Sequence, residues 1–354
     1  MSSFKTSNVS IKGLTVCVPG EVKSIFDYDL LSKDEQDLFY KTVGIKERRV
    51  ARPEVTCSDL CEKSARHFFE NNITKPENID LVVFVSQSPD YFLPSTAVIL
   101  QDKLGLKKTT LAFDVTLGCS GYIYGLSIIA NFLQSGQFKQ ALLLCGDKST
   151  ISTYIEDKSS YPLFGDAGSA TLLEYDTDAE DMIFNMNSDG AGKNAIIIEH
   201  GHSRHPYSPE SDVIMQIEPG VRRGKKHLAL NGQDIFTFAL KEVSPNINET
   251  LKAAGKTIND IDHFILHQAN KLINETIRKK LGIEKEKYPY SIELFGNTSS
   301  ASVPLTMCYV LEQQLLKERL NLLLCGFGVG LSWGSVILRT DKLLCAKLFD
   351  YDKP

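Results

Sequence analysis

The 354-residue chain is short of the features that mark a special environment. No apolar run approaches the ~20 residues that a membrane-crossing helix needs. The opening stretch "MSSFKTSNVSIKGL" lacks the charged-then-apolar layout of a secretory leader. Neither sign of charge dominates: 39 Lys and Arg stand against 44 Asp and Glu, for a net charge of −5. Nucleic acid and an anionic membrane surface are therefore not expected as global partners. Tryptophan occurs once, and no low-complexity linker divides the chain. A soluble, cytoplasmic protein is expected.

The eight cysteines (Cys17, Cys57, Cys61, Cys119, Cys145, Cys308, Cys325 and Cys345) are scattered. In a reducing compartment such cysteines act as small buried apolar residues, not disulfide halves. Cys57 and Cys61 are close in sequence, but no second pair stands at zinc-ligand spacing, so no metal site is expected. The cluster "EHGHSRH", with His200, His202 and His205, lies among polar residues without a supporting carboxylate layout and reads as an exposed loop.

What is present is a repeat. "ALLLCGD" and "NLLLCGF" place Cys145 and Cys325 180 residues apart. "ENIDLVVFVSQ" and "NDIDHFILHQ" place Asp80 and Asp262 182 apart, and Cys119 laid on Ser299 again gives 180. Three matches in order argue for two copies of one unit, divided into residues 1–178 and 179–354. Each copy reads as an apolar strand, a helical segment, a short strand, a turn and helix, another strand and a β-rich end. That alternation predicts mixed α/β layers around largely buried sheets.

Three residues stand out against this frame. Cys119 sits between Gly118 and Gly121, before a helix-patterned run, "YIYGLSIIANFL". A thiol at a helix entrance meets unpaired N–H groups and the positive dipole end, which favour the thiolate nucleophile. His267 lies where the strand "FIL" ends and a helical pattern begins, and would serve as its proton acceptor; His263 reads as structural. Asn297, in "LFGNTSSASVP", occupies the second copy's equivalent of the cysteine turn and by symmetry faces Cys119. "CGFGVGLSWGSVIL" resembles a nucleotide loop only in its glycines. A strand pattern follows them, not a helix, so the loop instead offers backbone N–H groups to a ligand. The basic runs Lys225-Lys226-His227 and Lys279-Lys280 are local positive patches that could meet an acidic carrier protein.

With "GIKERRVA" and "FGDAGSATLL", these motifs resemble the ketoacyl-acyl carrier protein synthase III family over essentially the whole chain. The resemblance implies a duplicated thiolase-like α/β fold, layered α/β/α/β/α with two pseudo-twofold-related halves, and a homodimer. It implies that Cys119 takes an acyl group from a thioester, and that His267 and Asn297 assist a malonyl thioester through decarboxylating Claisen condensation. The backbone N–H groups of Cys119 and Val329 would form the oxyanion site. Leu93, Lys158 and Asn270 would contact substrate, and Lys271, Lys279 and Lys280 would dock acyl carrier protein. No cofactor is implied beyond thioesters on coenzyme A or the carrier.

Several positions depart from the family pattern. Leu38 and Thr42 replace a tryptophan and an arginine that stack adenine, Lys158 replaces an arginine, Leu93 a phenylalanine, and Val329 a glycine. Two positions linked to carrier docking read Thr237 and Leu272. Free acyl-coenzyme A is thus disfavoured as the priming donor, and a specialised paralogue is expected. An alternative keeps Cys119 but drops decarboxylation, moving the acyl group to a hydroxyl or amine. A third, a non-catalytic partner, is disfavoured by the intact Cys, His and Asn.

Overall fold

The computed structural model describes residues 3–352. Its two main sheets use β1 (Ser3–Thr6), β2 (Val9–Val18), β3 (Ile79–Val85), β4 (Leu111–Val115), β5 (Gln140–Asp147), β6 (Ala167–Tyr175), β7 (Met182–Ser188), β8 (His263–Leu266), β9 (Leu320–Gly328), β10 (Ser332–Thr340) and β11 (Cys345–Asp350). The helices that position the site are α1 (Lys33–Val43), α2 (Cys57–Glu70), α3 (Thr96–Lys103), α4 (Gly121–Leu133), α5 (Ser244–Ala253), α6 (Lys271–Leu281) and α7 (Ser302–Lys317). No helix among the described residues is long and apolar enough to cross a membrane.

The repeat is visible in the pairing. In the six-stranded sheet, ordered β11-β2-β6-β5-β3-β4, β3 runs parallel to β5 and β5 antiparallel to β6. In the five-stranded sheet, ordered β1-β7-β10-β9-β8, β8 runs parallel to β9 and β9 antiparallel to β10. The matched aspartates do the same job in each copy. Asp80 accepts the Lys139 N–H at 2.8 Å and Asp262 the Asn321 N–H at 2.7 Å, each at the entry to the next strand. The copies differ at the short strand expected before the turn: β4 supplies it in the first, whereas the second has no strand there among the described residues. The chain ends also cross the 178/179 division. β1 pairs with β7 in the second sheet, and β11 with β2 in the first.

Why the layers stack follows from side-chain alternation. On β3, Leu81, Val83 and Val85 join the central core, while Val82 and Phe84 face the outer one. The central core also takes Leu322, Leu324 and Val336 from the second sheet. Between the sheets lie α4, with Ile123, Leu126 and Ile129, and α7, with Leu305, Leu311 and Leu315. α4 is apolar around nearly its whole circumference because it is covered on both sides. Outside, α2 and α3 cover the first sheet, and α5 and α6 the second, which completes the α/β/α/β/α order. Each fully buried Leu, Ile or Val contributes roughly 1.5–3 kcal/mol relative to exposure, so these layers dominate stability.

All eight cysteines are buried and free, Cys57 and Cys61 among the apolar contacts of α2. No group of three or more His, Cys, Asp or Glu among the described residues is placed to hold a metal ion. His200 stacks on His205 and bonds Ser211, and His202 lies against Phe92 on the same exposed loop. The Lys225 and Lys226 ammonium groups are paired with Glu210 and Asp212, which removes most of the positive patch expected there.

Candidate active site

The turn between β4 and α4 carries Cys119, which is 8% exposed. The glycines around it answer to packing. A Cβ on Gly121 would lie 2.7 Å from Val85 Cγ1, and one on Gly118 would strike the Gln87 side chain. The end of β9 runs directly against the thiol. Gly328 has φ +156°, and a Cβ there would sit 2.6 Å from Cys119 Cβ and 2.9 Å from its Sγ. Gly328→Ala is therefore expected to displace the sulfur and slow acylation of Cys119 at least tenfold, measured as acyl-enzyme formation by intact-protein mass.

Burial pushes the Cys119 thiol up to about 11, against the thiolate expected from a helix entrance. The Val329 N–H and the Ser299 hydroxyl oppose that rise, while the negative charge of Asp147 adds to it. The N–H groups at the helix entrance give the sulfur little help. Gly121 N–H bonds Gly118 O at 2.7 Å, and Ile123 N–H bonds Ser120 O at 3.1 Å.

His267 follows β8 directly and is held by its own backbone. Its N–H bonds Cys325 O at 2.8 Å, and its carbonyl accepts from Asn274 Nδ2 at 3.1 Å. The imidazole Nδ1 is 2.8 Å from Ser302 Oγ, and the ring meets the Phe327 ring edge-on at 5.5 Å. Burial lowers its pKa to about 3, so the ring is neutral throughout the physiological range. A neutral, deeply desolvated imidazole bonded to Ser302 can donate one hydrogen bond, but it is a weak acceptor for the Cys119 proton.

Asn297 is fixed by a backbone clasp with the segment before β6. Its N–H bonds Leu163 O at 2.9 Å, and its carbonyl accepts from Gly165 N–H at 3.1 Å. The side-chain Oδ1 accepts the Ser299 N–H at 2.9 Å, which leaves the Nδ2 hydrogens as donors. Ser299 itself has φ +50°, a left-handed conformation rare for a serine. Its N–H is the partner of Asn297, while the end of β9 serves the other two candidates, with Phe327 against the His267 ring and Gly328 against Cys119.

The surroundings can be compared with known proteins. Residues 113–192 match the model of 3-oxoacyl-[acyl-carrier-protein] synthase III, and residues 251–340 match the model of its C-terminal part. The beta-ketoacyl-[acyl-carrier-protein] synthase III of Clostridium acetobutylicum is 32% identical over 336 residues, covering 95% of this chain and 100% of that one. The protein of the same description from Oceanobacillus iheyensis is 31% identical, with the same coverage. A crystal structure of a 3-oxoacyl-(acyl-carrier protein) synthase from Burkholderia xenovorans superposes with a TM-score of 0.93 at 33% identity, covering 98% of both chains. The chain belongs to the beta-ketoacyl-[acyl-carrier-protein] synthase III family. It is a condensing acyltransferase with the thiolase fold.

The structure treats the enzyme's other expected contacts unevenly. Val329 follows Gly328, which lies against Cys119, and its N–H opposes the burial-driven rise of the thiol pKa. Asn270 caps α6, its Oδ1 accepting the Ile273 N–H at 2.8 Å. The Lys158 Nζ pairs with Glu35 at 3.2 Å. The cavity of about 270 Å³ beside this pair is lined by Leu30, Glu156, Lys158, Gln216, Gly220 and Arg222. Leu93 is 75% exposed and makes no part of the Cys119 cluster within this chain. On α6, Lys271, Lys279 and Lys280 are all exposed, and the Lys280 Nζ also bonds Leu240 O.

Sequence reasoning missed Ser299, Ser302 and Asp147 as parts of the site. Ser299 carried a signal, since the repeat lays it on Cys119. Ser302 and Asp147 carried none: a serine in a small-residue run and an aspartate ending a strand look structural.

Proposed function

We propose that Cys119 is acylated by a thioester and that His267 and Asn297 hold the carbonyl of a malonyl thioester on acyl carrier protein while it decarboxylates. The observation that carries this reading is the end of β9, where Phe327 meets the His267 ring edge-on at 5.5 Å and the next residue, Gly328, lies directly against Cys119. Attack by the sulfur on the donor carbonyl forms a tetrahedral oxyanion, within reach of the N–H groups of Cys119 and Val329. The donor C–S bond breaks, and its thiol leaves. In the second stage the malonyl C–C bond to the carboxylate breaks, carbon dioxide departs, and the electron pair becomes an enolate. N–H donors from neutral His267 and from Asn297 Nδ2 stabilise that enolate. Its carbon attacks the acyl group, the C–Sγ bond breaks, and a β-ketoacyl thioester is released. No cofactor is required beyond the thioesters.

Carrier-bound donors are favoured over coenzyme A for priming. Leu38 is 60% exposed on α1 and offers no aromatic platform. Thr42 bonds the Leu38 carbonyl through its own hydroxyl, and Lys158 is already paired with Glu35. Lys271 and Lys279 would meet the acidic carrier. A homodimer would form across β4, which ends the six-stranded sheet with one unpaired edge and an exposed Leu111. The enzyme would act in the cytoplasm, on a specialised lipid or acyl chain.

Loading the protein with a panel of acyl-coenzyme A and acyl-carrier thioesters, followed by intact-protein mass, tests this. Acyl-carrier donors should load Cys119 at least tenfold faster than the matching coenzyme A esters. Equal rates from both would refute the donor preference, and no loading from any donor would refute acylation.

A further inference from the structure

A neutral imidazole has one ring hydrogen, and what the ring can do depends on which nitrogen carries it. In His267 the choice is made by what faces Nδ1. That neighbour is Ser302 Oγ, 2.8 Å away at the start of α7. Either group could donate across this contact, so the distance alone does not choose between them.

The hydrogen bonds around Ser302 do choose. Gln268 N–H bonds Ser302 Oγ at 3.4 Å, so that oxygen already accepts one hydrogen. Gln268 is itself clamped: its Nε2 donates to Leu266 O at 2.8 Å, and its Oε1 accepts the Ser291 N–H at 3.2 Å. Thr306 gives its hydroxyl hydrogen to the Ser302 carbonyl at 2.8 Å. Its 2.7 Å contact with Ser291 Oγ must therefore take the hydrogen of Ser291. Gln268, Ser291, Ser302 and Thr306 are all buried, so a hydrogen left without an acceptor there would be costly. α7 opens without a side-chain cap. With the other hydrogens placed, the Ser302 hydroxyl has one acceptor among the described residues, His267 Nδ1. The reverse arrangement, with Nδ1–H donating to Ser302, would bury that hydroxyl hydrogen unbonded.

We propose that Ser302 is a positioning residue for His267: its hydroxyl donates to Nδ1 and so holds the ring hydrogen on Nε2. Nε2–H is then the single donor that the ring offers to a substrate carbonyl, and Nδ1 is closed to it. The edge-on contact with Phe327 limits rotation of the ring about this anchor. The closed circuit through Gln268, Ser291 and Thr306 keeps the Ser302 hydroxyl itself from turning away.

The functional part of this assignment rests on the reading of His267 as a carbonyl donor, whereas the hydrogen placement is measurable without any substrate. Nitrogen-15 NMR of the full-length, histidine-labelled protein reads the placement, with the His267 signals identified by their loss in His267→Asn. Wild type should show the hydrogen on Nε2 and a hydrogen-bonded lone pair on Nδ1. In Ser302→Ala the Nδ1 signal should move to that of an unbonded lone pair, or the hydrogen should divide between the two nitrogens. Carbon dioxide release from malonyl carrier protein should fall at least about tenfold in Ser302→Ala, with Cys119 acylation within about twofold of wild type. Ser302→Thr keeps the hydroxyl and should restore release to within about threefold of wild type. Ser302→Cys, a weaker donor of similar size, should lose release as Ser302→Ala does. It covers the case in which the alanine variant fails to fold, as judged by circular dichroism. A hydrogen on Nδ1 in wild type would overturn the proposal, and so would an unchanged Nδ1 signal or unchanged release in the folded variants. Acylation and release falling together, without rescue by Ser302→Thr, would make Ser302 merely structural and also overturn it. A wild type that releases no carbon dioxide would refute the condensation reading, and the NMR signals alone would then decide the hydrogen placement.

Discussion

Cys119→Ala is expected to abolish the acyl-enzyme and to lower condensation by at least about 10³-fold, the loss typical of removing a nucleophile that no neighbour can replace. No other thiol can substitute: Cys57, Cys145 and Cys325 are fully buried in the cores on either side. Folding should be little affected, because the change removes one sulfur from a spot already crowded by Gly328. Carbon dioxide release from malonyl carrier protein should survive, since the proposed mechanism has His267 and Asn297, not the sulfur, hold the enolate. Intact mass, product formation and labelled carbon dioxide release, measured on one preparation, check all three statements. Loss of decarboxylation together with acylation would place Cys119 in both half-reactions.

Asn297→Asp should do the reverse. The carboxylate can still accept the Ser299 N–H, so the turn keeps its shape. It can no longer donate, and it adds a negative charge where the enolate oxygen would develop. Losing one such donor costs ~10²–10³ in rate, about 2.7–4 kcal/mol, and the added charge increases that loss. Acylation of Cys119 should remain, because the oxyanion site proposed for it uses backbone N–H groups. Carbon dioxide release is the deciding measurement. If it persists in Asn297→Asp while the acyl group still leaves Cys119 for a hydroxyl or amine, the non-decarboxylating alternative replaces condensation.

Much of the frame was legible because it is periodic. The offset near 180 residues between "ALLLC" and "NLLLC" anticipates β5 and β9, and the Asp80 and Asp262 match anticipates two identical strand-entry hydrogen bonds. Cys119, His267 and Asn297 stood out because each lies at a strand end or helix entrance, where a buried sheet presents side chains. The N-cap role of Asn270 was readable from its place before "KLIN".

The amino-acid order by itself determined the duplicated α/β frame and singled out three candidate residues, since alternation and turn residues are local properties of the chain. Only the tertiary structure decided their chemical state. It raised the Cys119 thiol to about 11 and lowered His267 to about 3 by enclosing both. It paired Lys158 with Glu35 across 123 positions, and set Ser300 on Asp147 across 153. Protonation and pairing depend on which distant groups are packed together and how much water they exclude. Local periodicity carries no record of either.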